Sequence, residues 1–64
     1  MSLKMGYMIE HEGATHSKFP AKTFEDIKRI LKSLYAGHVS VVRLRDNFEV
    51  YCGPVDKARW KFGL

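Results

Sequence analysis

Thr23-Phe24-Glu25-Asp26-Ile27-Lys28-Arg29-Ile30-Leu31-Lys32-Ser33-Leu34-Tyr35-Ala36-Gly37 is the stretch on which the fold turns. Phe24, Ile27, Ile30, Leu31, Leu34 and Tyr35 recur at the helical period and gather into one apolar stripe. Thr23 is a natural N-cap, and Asp26 stands where a capping box needs its acid. Glu25 and Asp26 fall in the first turn, where the helix dipole favours anions, and Lys32 falls near the end, where it favours cations. Gly37 can adopt the left-handed conformation that stops a helix. The spacing predicts a helix over 23–36, with Lys28, Arg29 and Lys32 on its solvent side.

Upstream, Leu3, Met5, Tyr7 and Ile9 alternate with Lys4, Gly6, Met8 and Glu10, the period of a half-buried strand. His11-Glu12-Gly13-Ala14 supplies a turn, and Thr15 to Phe19 returns as a second strand ending at Pro20, where a missing N–H does least harm. Downstream, His38 to Arg45 is rich in β-branched residues and Phe48 to Cys52 alternates, with Asp46-Asn47 as a two-residue turn between them. Gly53-Pro54 breaks the ladder, Val55 to Ala58 turns, and Arg59-Trp60-Lys61-Phe62 alternates as a short last strand. The order ββαβββ defines an α+β domain: an antiparallel sheet of four to five strands with one helix packed on one face. At 64 residues and 7.4 kDa, residues 1–64 suffice for one core, since a chain this short buries only about 60% of its unfolded surface. No internal repeat, linker or low-complexity tract is visible. No apolar run approaches the roughly 20 residues that span a bilayer, which argues against a membrane partner. No signal-peptide pattern opens the chain. Cys52 is the single cysteine and cannot form an internal disulfide, so a cytoplasmic location is expected.

Strand parity then predicts which face meets a partner. Phe48, Val50, Cys52, Trp60 and Phe62 are expected under the helix. In the third strand Ser40, Val42 and Leu44 share one face, and Val39, Val41, Arg43 and Arg45 the other. Two arginines beneath a helix without partners would carry a large desolvation cost, so the arginine face is assigned outward. The open sheet face then holds Arg43, Arg45, Tyr51, Arg59 and Lys61, with Glu49 as its acid and Val39 and Val41 as an apolar extension.

Candidate chemistry is sparse. Cys52 and His38 are a nucleophile and base without a third group to orient them, and Cys52 falls on the expected core face, where it is inert. Glu10, His11, Glu12 and His16 include metal-ligating types, but not at the spacing of a helical His pair or a Cys pair. No glycine-rich phosphate loop is present. The expectation is therefore no enzyme, no catalytic residue, no metal and no cofactor. The basic residues carry more: eleven Lys and Arg against seven Asp and Glu give a net charge of +4 and an isoelectric point near 9.5. Cations alternating around an aromatic ring suit a single-stranded nucleic acid. Tyr and Arg around the two valines would equally suit a protein interface, and an exposed last strand could pair with its twin, so monomer and homodimer both remain open.

Tyr7-Met8-Ile9-Glu10 in the opening strand, the helix around Asp26-Ile27-Lys28-Arg29-Ile30, Gly37-His38-Val39 entering the third strand and Lys57-Ala58-Arg59-Trp60 entering the last form a layout. That layout resembles the small anti-CRISPR proteins of phages and mobile elements, in particular five-stranded, single-helix inhibitors of type I surveillance complexes. The resemblance is one of element order and length across most of the chain. It implies a non-enzymatic inhibitor, acting in the cytoplasm of a bacterial host, that docks on a large ribonucleoprotein effector and blocks target DNA binding. Its basic and aromatic surface residues, Lys28, Arg29, Lys32, Arg43, Arg45, Tyr51, Arg59 and Lys61, would make the contact. The positive charge means that such an inhibitor does not imitate phosphate. A small basic nucleic-acid-binding or regulatory protein is the alternative reading.

Overall fold

Thr23 does cap the central helix. Its hydroxyl accepts from the Asp26 N–H at 3.3 Å, and the Asp26 carboxylate accepts in return from the N–H groups of Thr23 (3.3 Å) and Lys22 (3.1 Å). The computed structural model of the chain describes residues 5–13 and 15–64. Its elements run β1 Tyr7–Glu12, β2 His16–Ala21, α1 Phe24–Ser33, β3 His38–Arg43, β4 Phe48–Pro54 and α2 Val55–Lys61. The four strands form one antiparallel sheet in the order β2-β1-β3-β4, with edges at β2 and β4. Pro20, expected at the end of its strand, lies one residue inside it, because β2 continues to Ala21; β2 is an edge strand, where a missing N–H is tolerated. The expected strand residues Leu3 and Lys4, and Ala14 of the turn, lie outside the described residues.

Both helices contribute to one core with the same face of the sheet: Ile9, Ala21, Ile27, Leu31, Leu34, Val39, Val41, Val55 and Ala58 are buried together. No charged or polar residue is buried among those described. The two halves of the sheet repeat each other. Ile9 opposite Phe19 in the first hairpin has its counterpart in Val41 opposite Tyr51 in the second, and Tyr7 opposite Ala21 has its counterpart in Val39 opposite Gly53. A helix follows each hairpin, so the chain is two ββα units joined where β1 and β3 pair. The repeat lies in register and element order, with no shared residues to betray it in the sequence.

Three expectations are corrected. The fifth strand is absent: Arg59 to Lys61 belong to α2, in which Val55 and Ala58 are buried and Phe62 packs just beyond. That spacing is helical, and four alternating residues are too few to establish a strand. Trp60, expected inward, is 84% exposed. The helix α1 is shorter than 23–36. The Ser33 hydroxyl donates to the Ile30 carbonyl (2.7 Å) and Arg59 Nε donates to the Leu31 carbonyl (3.0 Å). These bonds satisfy acceptors that further helical turns would have used. Tyr35 consequently leaves the stripe and is 84% exposed. Gly37 has the expected positive φ of 101°, but it serves the entry to β3 and not the helix end.

The facing of β3 is also inverted, and with it that of Tyr51 and Cys52, whereas Val50 and Phe62 pack toward the core as expected. Val39 and Val41 are buried beneath the helices, and Arg43 follows them on that face. Only a strand running through Arg45 would set two arginines beneath the helices. β3 ends at Arg43, at the margin of the sheet, and Arg45 lies in the following Leu44–Asn47 turn. Only one arginine has to be accommodated, and Asp46 pairs with it. A bulge opposite Val41 and Val42 adds Val50 to β4, so that Val50 and Tyr51 both pack toward the core while Cys52 faces out. In the turn only Asn47, at φ 56°, has a positive φ, and the connection is four residues long instead of two.

Candidate nucleic-acid interface

The uncovered sheet face is acidic instead of basic. It carries Glu10, Glu12 and Glu49 beside Lys18, His16, His38, Ser40 and Cys52, from strand positions that alternate with the core. Glu10 pairs with Lys18 at 3.5 Å and lies 3.8 Å from His16, and the Ser40 hydroxyl donates to Glu49 at 3.4 Å. Glu49 also acts on the exposed Cys52: its charge, aided by partial desolvation and a hydrogen bond, pushes the thiol pKa upward. A thiol held protonated is a poor nucleophile. Iodoacetamide at pH 8 should therefore alkylate Cys52 a few-fold more slowly than a cysteine in a short peptide. Glu49→Gln should restore the rate, and equal rates would remove this account. Among the described residues no three His, Cys, Asp or Glu side chains converge on a metal position.

The cations gather elsewhere, at the end of the sheet where α1 begins and α2 finishes. The register sets Ala21, Tyr7, Arg43 and Phe48 side by side across the four strands, on the helix-bearing face. Phe24, the first residue of α1, stacks on Tyr7 with ring centroids 5.5 Å apart, and Phe62 meets Phe24 edge-on at 5.8 Å. At the other end of this line the Arg43 guanidinium lies 5.1 Å over the Phe48 ring. Two packed groups thus lie together, Arg43 with Phe48 and Tyr7 with Phe24 and Phe62, brought side by side by the pairing of Tyr7 with Arg43. Phe48 is 57% and Phe24 54% exposed.

Two shallow grooves flank these groups. One, of about 250 Å³, is lined by Met5, Gly6, Tyr7, Lys22, Arg43 and Arg45. The other, of about 440 Å³, is lined by Phe24, Lys28, Val50, Lys61, Phe62 and Gly63. Asp46 fixes Arg43 by a two-point contact, Nε to Oδ1 at 3.0 Å and Nη2 to Oδ2 at 2.8 Å, and also accepts from the Phe48 N–H. The Arg43 hydrogen bond, with help from Phe48, lowers the Asp46 pKa to about 2 and raises that of Arg43. Lys28 reaches Glu25 at 3.7 Å. For Lys22, Arg45 and Lys61 no carboxylate lies within ion-pair distance among the described residues.

Of the residues singled out from the sequence, Arg43, Arg45, Lys28 and Lys61 meet at this end face. Arg29 borders it, lining an adjoining apolar groove with Met5, Tyr7, Phe19, Ile30 and Leu44 while pairing with Asp26 at 3.5 Å. That ion pair and the N-terminal amides hold the Asp26 carboxyl below its usual range, the Lys22 N–H contributing most. The other three lie apart. Tyr51 packs on the core with its hydroxyl donating to the Pro54 carbonyl at 2.8 Å. Arg59 ties α2 to the Leu31 carbonyl. Lys32 is exposed in the last turn of α1, at the far end of the helix from Phe24. Tyr7, Phe24, Phe48 and Phe62 also stand at this end face, although strand and helix periodicity assigned them only to the core. The one sequence signal for them was the position of Phe24 directly after the N-cap, where the apolar stripe reaches the rim of the core.

No protein-family model, no curated protein and no solved structure matches the chain significantly. Among the described residues, no helix is long and apolar enough to cross a membrane.

Proposed function

We propose that the chain is a small, non-enzymatic nucleic-acid-binding protein that uses the end face around Tyr7 and Phe24. The observation that supports this most is the gathering of Phe48, Arg43, Tyr7, Phe24 and Phe62 at one end of the sheet, with Lys22 and Arg45 in one flanking groove and Lys28 and Lys61 in the other. Cations neutralise phosphates, exposed rings accept bases, and neither contact requires a catalytic group.

Binding to fluorescently labelled oligonucleotides should weaken steeply between about 50 and about 300 mM salt, because each neutralised phosphate releases a counterion. Four phosphate contacts would give a log–log slope of about −3 on single strands. The Lys22→Gln, Arg45→Gln double variant should lower its magnitude by about 1.4. Affinity independent of salt would refute this function.

The resemblance to anti-CRISPR inhibitors points to a ribonucleoprotein effector as the partner, in the cytoplasm of a bacterial host. Such a complex offers a nucleic-acid strand on a protein surface, and the same end face is the one suited to it. Wild-type protein would then reduce target DNA binding by a purified effector, and the double variant would not.

A further inference from the structure

We infer that the end face selects single strands over duplex, bases stacking on Phe48 and Phe24 while the flanking cations hold the backbone. This rests on the nucleic-acid reading above and narrows it. Phe48 and Phe24 each remain more than half exposed although both already touch other side chains, Phe48 under the Arg43 guanidinium and Phe24 against Tyr7. A ring so held is a rigid platform, and its neighbours fix its orientation before a base arrives. Bases inside a duplex stack on each other and offer no free face, so only an unpaired strand can use such platforms.

The features a duplex reader needs are weak here. α1 would have to enter a groove by its solvent side, yet Glu25 is exposed on that side and Arg29 is drawn to Asp26 one turn back, at 3.5 Å. The outer sheet face, the other broad surface, presents Glu10, Glu12 and Glu49 and would repel a phosphate backbone. Cations and rings coincide at the end face.

The test compares equal-length single-stranded DNA, single-stranded RNA and duplex DNA by fluorescence anisotropy, for the wild type and for Phe48→Leu and Phe24→Leu. At one salt concentration, single strands should bind at least about ten-fold more tightly than duplex. Each substitution should cost about ten-fold on single strands, as expected for loss of one stacked base. It should leave the salt slope and the duplex affinity unchanged, since no cation is removed. Phe48→Leu keeps the test decisive should Phe24→Leu disturb the packing on Tyr7, and thermal unfolding identifies that case. Equal affinity for duplex, or single-strand binding indifferent to Phe48→Leu, would overturn the inference while a steep salt slope still upheld nucleic-acid binding. Absence of salt-dependent binding to any of the three would overturn both.

Discussion

Leu31→Ala should leave much of the protein unfolded at room temperature. Leu31 is fully buried in the core formed with Ile9, Ile27 and Val41. Truncating such a leucine costs about 2–5 kcal/mol, through lost transfer energy and the cavity left behind. A single core in a domain this small supplies only about 3–5 kcal/mol in total. The site is also where the two helices are joined, because the Leu31 carbonyl accepts from Arg59 Nε. Urea unfolding followed by circular dichroism should show a midpoint near zero denaturant for Leu31→Ala. Leu31→Met, which keeps the volume, should cost less than about 1.5 kcal/mol. If Leu31→Ala unfolded at the wild-type midpoint, the packing of α1 on the sheet would not be the main source of stability.

Gly37→Ala should be nearly as damaging, for a different reason. Gly37 has φ 101°, and a Cβ there would run into the Glu12 carbonyl oxygen and lie 3.1 Å from the His11 ring. Both obstacles are held in place: His11 Nε2 is 2.7 Å from the Ala36 carbonyl oxygen, and Glu12 is paired opposite His38. The Gly37 carbonyl also accepts from the Val55 N–H at 3.0 Å, where α2 begins. Gly63 provides the control, since it has φ 81° but nothing within 4 Å of a built Cβ. Gly63→Ala should cost only the conformational penalty of about 1–2 kcal/mol. Gly37→Ala should exceed it clearly in thermal melts. Equal melting temperatures for the two variants would mean that the β1–β3 end of the sheet yields freely.

Local chemistry made the helix legible. Thr23 and Asp26 form the box that their spacing announced, and Ile27 and Leu31 lie on the buried face. The two hairpins were legible for the same reason, each strand run being bounded by turn residues. Parity was not legible, because it depended on where β3 stopped. A strand ending at Arg43 needs one arginine partner, Asp46, whereas a strand reaching Arg45 would need two. The bulge at Val50 has no signature in the sequence, and it turned Tyr51 inward and Cys52 outward. Phe62 shows how a four-residue window misleads: its alternation with Trp60 resembles a strand, while its spacing from Val55 and Ala58 belongs to a helix. For the candidate site, the cations were expected on the open side of the sheet, and the structure gathers four of them at one end of the helix-bearing side. Arg43, Arg45, Lys28 and Lys61 converge because α1 starts and α2 ends at one margin of the sheet, an arrangement that only the tertiary fold creates.

The carboxylates on the bare side of the sheet therefore affect more than the thiol beside them. Glu10, Glu12 and Glu49 lie on the bare side, whereas Lys22, Lys28, Arg45 and Lys61 line the grooves at the end face. Were the proposed nucleic-acid partner to approach, the bare side would disfavour its phosphates and the end face would attract them. On that reading, low ionic strength would raise the productive share of encounters by favouring approach through the end face.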